Sequence, residues 1–371
     1  MVYTPEQVVI SGGSVAGLAA AEALRQRGIP SLVVERRPEV VVTGFAFNLP
    51  GNAVRALSLL GLGEEVSRTG TRLRRREYRS EKGRTLFAVD EERFWGADMA
   101  PRSIRRSALL RMLGRRLPDD GIVRGREVQS VSSSNGQVEV GLDDGTTLHP
   151  RLLIAAEGVE SRARAMIGGG EGTVSDALIA PASWRFVVPN PGVECWTVWV
   201  GKRTTILLMP LDGDEAYGWV SSPGSGQISE LPDRFRGFPE PVRRALEAAA
   251  ARPEAVVHSP IREVRAPRWF RDGVVLVGDA AHATAPVWAQ GAAMAMEDAL
   301  VLAERLAAQP DRERALAEFE ARRRPRVAHV QTVTDRMSRS AKLAPWIRNA
   351  LMPLVGPGSY RAAYGMLKEQ F

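Results

Sequence analysis

Residues 7–38 have the sequence QVVISGGSVAGLAAAEALRQRGIPSLVVERRP, and this stretch decides the fold. The short apolar run at 7–10 is typical of a buried parallel strand. The run rich in Ala and Leu that follows predicts a helix ending at Gly28. The run at 30–38 predicts a second strand that stops at Pro38. Strand, helix and strand in this order predict a βαβ unit of the Rossmann-like type.

The turn between the first strand and the helix carries an incomplete G-x-G-x-x-G pattern. Gly12 and Gly17 occupy its first and last glycine positions, and Ser14 replaces the middle glycine. The start of a helix offers free N–H groups and a positive dipole end to phosphates. An acid about 20 residues further on is expected to hold a ribose hydroxyl. These features predict dinucleotide binding by Gly12, Gly13, Ser14, Val15, Ala16, Gly17 and Glu35.

The rest of the chain predicts a second, β-rich unit inserted into this domain. Aromatic and β-branched runs separated by Gly and Pro fill 181–221, which is typical of an antiparallel sheet. The α/β pattern resumes with a strand after 273 and a long helix from about 290. We predict an α/β fold with a discontinuous Rossmann-like domain (1–80, 100–175 and 262–330), an inserted antiparallel substrate domain (81–99 and 176–261) and a C-terminal helical segment (331–371) interrupted at Pro353.

Composition excludes several classes of function. The net charge of +7 comes from Arg residues spread through the chain, without a recognisable nucleic-acid-binding motif. The four His residues and Cys195 have no metal-ligand spacing, so we expect no metal site. No apolar run approaches the roughly 18 residues that span a bilayer. We expect a cytoplasmic protein with no nucleic-acid partner, and leave open binding of the basic, apolar C-terminal segment to a membrane surface.

Four motifs, in order, resemble one known family: GGSVAG with its βαβ unit, RSALL, AAEGVESRAR and GDAAHATAPVWAQGAAMAMEDALVLA. Over residues 5–330 the chain resembles the FAD-dependent aromatic-ring monooxygenases, single-component flavoprotein hydroxylases of the p-hydroxybenzoate and salicylate hydroxylase type. The resemblance implies FAD as cofactor, with NADPH or NADH as a transient reductant. It further implies that O2 hydroxylates an aromatic or other electron-rich small molecule through a flavin C4a-hydroperoxide.

The resemblance also implies roles for residues outside the first turn. Arg106, or its neighbour Arg105, would lie near the pyrophosphate and flavin. Asp279 would accept hydrogen bonds from the ribityl chain, and the N–H groups of Gly291 and Ala292 would face the flavin ring. Glu157 stands where the family has Asp, and its alternative roles are to cap the following helix or to pair with an Arg. The remaining implied FAD-site residues are Arg36, Gly44, Gly158 and Gly278.

Substrate-facing residues are less defined by the sequence. The resemblance points to Pro286, Trp288 and Phe47, with Phe45 and Asn48 beside the last. The inserted sheet would supply a second wall from Trp184, Arg185, Trp196, Trp199, Met209 and Trp219, although strand alternation turns about half of such a set away. His282 fits a packing role in the Asp279 turn better than catalysis, and the catalytic residues remain unassigned.

Other functions on the same fold stay open at this point. A flavoprotein epoxidase, oxidase or reductase would carry the same FAD motifs. A halogenase would need a catalytic Lys and a Trp-rich signature that CWTVWVG does not match. A protein that only binds FAD is the non-enzymatic alternative. The oligomeric state is expected to be monomer or homodimer.

Overall fold

The computed structural model describes residues 7–39, 46–134, 136–168, 173–223 and 226–371. The strands are β1 (Val8–Ser11), β2 (Ser31–Glu35), β3 (Ala46–Leu49), β4 (Thr71–Arg72), β5 (Arg75–Ser80), β6 (Thr85–Asp90), β7 (Arg102–Arg105), β8 (Ile122–Arg124), β9 (Val128–Ser134), β10 (Gln137–Leu142), β11 (Thr147–Leu148), β12 (Leu152–Ala155), β13 (Val174–Asp176), β14 (Ala182–Pro189), β15 (Trp196–Val200), β16 (Thr205–Pro210), β17 (Glu215–Ser221), β18 (Val257–Pro260), β19 (Arg262–Val264), β20 (Phe270–Arg271) and β21 (Val274–Leu276). The helices are α1 (Val15–Arg25), α2 (Gly51–Leu59), α3 (Gly63–Thr69), α4 (Glu91–Trp95), α5 (Arg106–Gly114), α6 (Arg162–Met166), α7 (Leu231–Arg234), α8 (Glu240–Ala250), α9 (Asp279–His282), α10 (Gly291–Ala308), α11 (Arg312–Ser340) and α12 (Pro345–Gly365).

The predicted Rossmann-like core is a six-stranded sheet in the order β20-β21-β12-β1-β2-β8. Its strands are parallel except for the edge strand β20. All four residues of β1 are buried, as expected of a central strand covered on both faces. The carboxyl ends of β1, β2, β12 and β21 therefore meet at one edge, where parallel sheets place their ligands.

The inserted unit is built on a seven-stranded sheet in the order β18-β14-β17-β16-β15-β5-β6. It is antiparallel, as predicted, apart from the parallel pair β15 and β5. Helix α8 packs on one face through apolar residues such as Val242 and Leu246, and the other face borders a cavity. Strand β5 (Arg75–Ser80) belongs to this sheet, although the prediction placed residues up to 80 in the Rossmann-like domain.

The C-terminal segment differs from its prediction in two ways. Helix α11 is continuous through the boundary predicted at 330. Helix α12 continues through Pro353 and Pro357, so the predicted interruption does not occur. Burial of Gly356, Tyr360 and Tyr364 against the body stabilises a helix whose prolines disfavour it. Among the described residues, no helix combines the length and the apolar character needed to cross a bilayer.

Candidate active site

The turn after β1 is shaped so that only glycine fits at two positions. Gly12 has φ of +106°, and a Cβ atom there would lie 2.5 Å from the Ala156 carbonyl oxygen. A Cβ atom on Gly17 would lie 1.8 Å from the Gly12 carbonyl oxygen. The close packing of β1, α1 and β12 therefore depends on these glycines. The first intrahelical bond of α1 runs from Leu18 N–H to the Ser14 carbonyl, which leaves the earlier N–H groups free for phosphate.

Glu35 lies beside this turn, at the end of β2. Its Oε2 accepts a hydrogen bond of 2.6 Å from the Gly13 N–H, and its Oε1 accepts one of 2.9 Å from the Arg37 N–H. A Cβ atom on Gly13 would lie 2.9 Å from the Glu35 Cβ, so the two residues are in close contact. Glu35 thus holds the turn and lies where the fingerprint expects a ribose.

The structure separates the two neighbouring arginines at 105 and 106. Arg105 pairs with Asp212 and Glu215, whereas Arg106 lines the cavity and donates to the Ser14 hydroxyl at 3.1 Å. Burial and the nearby charge of Arg37 lower the pKa of Arg106. A guanidinium at the start of a helix whose pKa is lowered would be stabilised by a phosphate group bound beside it.

Two arginines follow Glu35. The prediction placed Arg36 at the cavity, whereas the structure places Arg37 there. Arg36 is exposed and lies 3.7 Å from the Glu127 carboxylate, outside the cavity lining. Arg37 lines the cavity instead. Strand β2 ends at Glu35, so the two arginines lie in an irregular bend whose side-chain directions do not follow strand alternation. Gly44 and Phe45, two further predicted residues, lie outside the described residues.

Glu157 takes the alternative role that the sequence left open. Its carboxylate accepts hydrogen bonds from the Ser11 hydroxyl at 2.8 Å, the Ser161 hydroxyl at 2.7 Å and the Ala163 N–H at 3.2 Å. It therefore ties β1 to the start of α6 and does not line the cavity. Gly158, the next residue, does line it.

Asp279 follows the Gly278 turn and opens onto the cavity. No hydrogen bond to its carboxylate is found within the part of the chain that the structure describes. Asp279 is exposed to the cavity, yet desolvation by the surrounding protein raises the pKa of its carboxyl group; the nearby Asp298 adds to this, and His282 opposes it. A carboxylate that faces a cavity and has no protein donor is suited to accept hydrogen bonds from ligand hydroxyls.

A buried ionic cluster contacts the Gly278 turn that precedes Asp279 and holds it in place. Asp298 accepts from the Gly278 N–H at 2.9 Å and contacts His282 Nε2 at 2.6 Å, and Arg323 donates to its other oxygen at 2.8 Å. Burial raises the pKa of Asp298, but the charges and hydrogen bonds of His282 and Arg323 outweigh this and lower it. His282 does not line the cavity, which fits the structural role expected for it.

The loop before α10 forms one end of the cavity. Pro286 and Trp288 lie in a 3₁₀ turn, and Ala289 adopts the left-handed conformation with φ of +54°. Gly291 begins the 18-residue helix α10, whose first internal bond is donated by Met294, so the N–H groups of Gly291 and Ala292 precede the hydrogen-bonded ladder. Both residues line the cavity.

All these elements border one cavity of about 1060 Å³. It extends from the start of α1 to the loop before α10, the seven-stranded sheet and helices α11 and α12. Of the sequence-predicted residues, it brings together Ser14, Val15, Ala16, Phe47, Arg106, Gly158, Arg185, Asp279, Pro286, Trp288, Gly291 and Ala292. Gly12, Gly13, Gly17, Glu35 and Gly278 lie behind these residues and shape the turns.

The sheet wall follows strand alternation. Arg185, Trp196, Met209 and Trp219 line the cavity, whereas Trp184 and Trp199 pack on the opposite face with the residues of α8. Sequence analysis missed Tyr217, which lines the cavity beside Arg185. Burial raises the pKa of Tyr217 to about 12, although the Arg185 charge opposes the shift. Its hydroxyl is therefore neutral near pH 7.

The cavity fits an extended dinucleotide with a ring system at one end. Arg106 donates to Ser14 at the start of α1, a Cβ atom on Gly291 at the start of α10 would lie 3.7 Å from Asp279 Oδ1, and all four residues line the cavity. Asn48 also lines it, and neither amide atom of its side chain has a hydrogen-bond partner within the described ranges. Unpaired buried polar groups indicate a ligand that would complete their hydrogen bonds.

Comparisons with known proteins agree with this geometry. A family model described as an FAD binding domain matches residues 6–334. The 3-amino-4-hydroxybenzoate 2-monooxygenase of Streptomyces cremeus is 32% identical over 91% of this chain and 88% of its own length. The 3-hydroxybenzoate 6-hydroxylase 1 of Aquipseudomonas alcaligenes is 29% identical over 95% of each chain. The crystal structure of Klebsiella pneumoniae HpxO complexed with FAD and uric acid has a TM-score of 0.78 and 26% identity, covering 98% of this chain and 92% of that one.

The chain therefore belongs to the FAD-dependent aromatic hydroxylase family, as the sequence motifs indicated. It is a monooxygenase-type flavoenzyme, and FAD is its cofactor. The buried cluster of Asp298, Glu297 and Arg323 was missed from the sequence. Its signal was present: two adjacent acids interrupt the apolar helix α10, and an arginine-rich run follows in α11.

Proposed function

We propose that the enzyme uses NAD(P)H and O2 to hydroxylate an aromatic small molecule held between the loop before α10 and the seven-stranded sheet. The observation that carries this proposal is the continuity of one cavity from the phosphate-binding turn to an aromatic wall. Trp196, Tyr217, Trp219 and Trp288 line that wall. Aromatic rings of this kind favour a planar, apolar ligand.

The proposed FAD site places each part of the cofactor on a matching group. The start of α1, Ser14 and Arg106 would hold the pyrophosphate, with Glu35 near the ribose. Asp279 would hold the ribityl chain, and the N–H groups of Gly291 and Ala292 would face the ring system. Flavin bound there supplies hydride acceptance from NAD(P)H and the activation of O2.

The chain's own residues would orient the substrate and exclude water. The neutral Tyr217 hydroxyl, next to the Arg185 charge, is placed to donate a hydrogen bond to a substrate oxygen. Apolar residues around it, such as Met209 and Trp219, exclude water from the reacting groups. No lysine lines the cavity among the described residues, which argues against halogenation. We further propose that the enzyme acts in the cytoplasm as a monomer or homodimer.

The test follows NAD(P)H oxidation by the purified holoenzyme across a panel of phenols under isotopically labelled O2. The proposal expects stoichiometric NAD(P)H use and one labelled oxygen atom per product molecule. Tyr217→Phe should raise KM about tenfold, because a buried hydrogen bond to the substrate is worth about 1.5 kcal/mol. Substrate oxidation without label would indicate an oxidase or reductase. Flavin that neither NAD(P)H nor any substrate of the panel, alone or together, ever bleaches would contradict enzymatic activity of either kind.

A further inference from the structure

We propose that the substrate carries a long apolar tail in addition to its aromatic head. The tail would occupy the part of the cavity between the seven-stranded sheet and helices α11 and α12, which we name the tail channel. It is lined by Val198, Val200 and Leu207 on the sheet side and by Leu343, Leu351 and Val355 on the helix side. The inference rests on the proposed function, because the head must reach the flavin for hydroxylation.

The sheet side of the channel is apolar because of strand alternation. Trp196, Val198 and Val200 are alternate residues of β15, so all three point to one face, and all three line the cavity. They are buried among other apolar side chains of the same layer. This surface offers no hydrogen-bonding pattern to a polar substituent and is suited to a hydrocarbon chain.

The helix side is apolar and open to solvent. Leu343, Leu351 and Val355 line the cavity and are 42%, 43% and 52% exposed. Five of the eight exposed large apolar residues that the structure describes lie between 343 and 355. An apolar cluster at the mouth of a cavity is costly unless a ligand or partner covers it. Its continuity with the cavity lining favours the ligand.

Two cations also line the tail channel, and neither is a buried charge without hydrogen bonds to the protein. Arg348 is buried and donates to the carbonyl oxygens of Gly201 at 2.9 Å and Val200 at 3.0 Å. Arg336, the other cation on this side, is exposed to solvent. The substrate class that fits is thus an aromatic compound with an alkyl or similar hydrocarbon chain.

The test measures binding of 4-alkylphenols, from ethyl to octyl, to the oxidised holoenzyme through changes in flavin absorbance. Each buried CH2 group should lower Kd about fourfold, the equivalent of about 0.8 kcal/mol. Leu351→Asp should weaken octylphenol binding about tenfold and leave ethylphenol nearly unchanged, because it places a charge in the channel. Leu354→Asp is the matched control: Leu354 is on the same helix, is 79% exposed and does not line the cavity.

Each alternative gives a different result. A Kd that does not depend on chain length, no binding even of octylphenol, or equal effects of the two variants would overturn the tail channel. If Kd does not change with chain length and the protein is a dimer that Leu354→Asp converts to monomers, the apolar face binds a second copy of the chain. A flat series with binding to phosphatidylcholine vesicles would assign it to a lipid surface. Chain-length-dependent binding without labelled product would leave the channel intact and contradict the proposed hydroxylation.

Discussion

The Asp279 carboxylate opens onto the cavity, and no protein group within the described residues donates a hydrogen bond to it. Desolvation by the surrounding protein raises its pKa, so ionisation of this carboxyl group at neutral pH costs the folded protein free energy. The unfolded carboxyl loses its proton near pH 3.9. Above that pH, the ionisation cost of Asp279 reduces the stability of the apoprotein, and FAD in the proposed site would offset this by donating hydroxyl hydrogen bonds.

Asp279→Asn should therefore separate stability from cofactor binding. We expect the apoprotein of the variant to be more stable than wild type at pH 7, and this difference to vanish below about pH 4. The affinity for FAD should fall about 10- to 100-fold, because hydrogen bonds to a charged acceptor are lost. Thermal unfolding of apoprotein and fluorescence titration with FAD check both expectations. A less stable apoprotein with unchanged FAD affinity would contradict them.

Ala289 adopts a left-handed backbone conformation that suits glycine. Ala289→Gly should leave the free energy of unfolding unchanged or raise it by up to about 1 kcal/mol, since relief of strain offsets the added freedom of the unfolded chain. Ala321→Gly, on an exposed position inside α11, is the control and should cost about 1 kcal/mol. Urea unfolding of the two variants measures the difference. Equal destabilisation by both would show that Ala289 is not strained.

At the level of elements, Glu157 and Arg106 illustrate two different uses of charge at helix starts. Glu157 caps α6 and links it to β1, whereas Arg106 begins α5 and faces the cavity. Glu157→Gln should lower the free energy of unfolding by about 2 kcal/mol and change FAD affinity less than about twofold. Arg106→Gln should leave the free energy of unfolding nearly unchanged and reduce the FAD affinity at least tenfold. Chemical unfolding of both variants measures the free energy of unfolding, and FAD titration measures the cofactor affinity. A large loss of FAD affinity in Glu157→Gln would place its carboxylate in the cofactor site.

The cluster of Asp298, His282 and Arg323 joins α9, α10 and α11. Because the pKa of Asp298 is lowered in the folded protein, its charge contributes stability that is fully present above its unfolded pKa near 3.9 and is lost as the pH falls through the folded value. Asp298→Asn should cost about 3 kcal/mol at pH 7 by leaving part of the Arg323 charge unpaired. The difference from wild type should shrink below about pH 4. A pH-independent difference in unfolding free energy would contradict this account.

For the whole molecule, the local patterns predicted the parallel core and the inserted sheet because each strand and helix carries its own signal. Alternation predicted that about half of the wall candidates would face away from the cavity, and the structure places Trp196 on the cavity side and Trp199 on the other. Local patterns did not predict which of two adjacent residues faces the cavity or what role a single side chain takes. Whether Arg36 or Arg37 faces the cavity, and whether the Glu157 carboxylate caps a helix, depend on contacts with distant segments. The long-range pairs Asp298–Arg323 and Tyr364–Trp288 belong to the same class.

A crystal structure of the holoenzyme would show where FAD lies along the cavity. We expect the pyrophosphate at the start of α1 beside Arg106, the ribityl chain within hydrogen-bond distance of Asp279 and the flavin ring next to Gly291 and Ala292. Flavin density elsewhere in the molecule, or purified protein that takes up no flavin when it is offered in excess, would contradict the account.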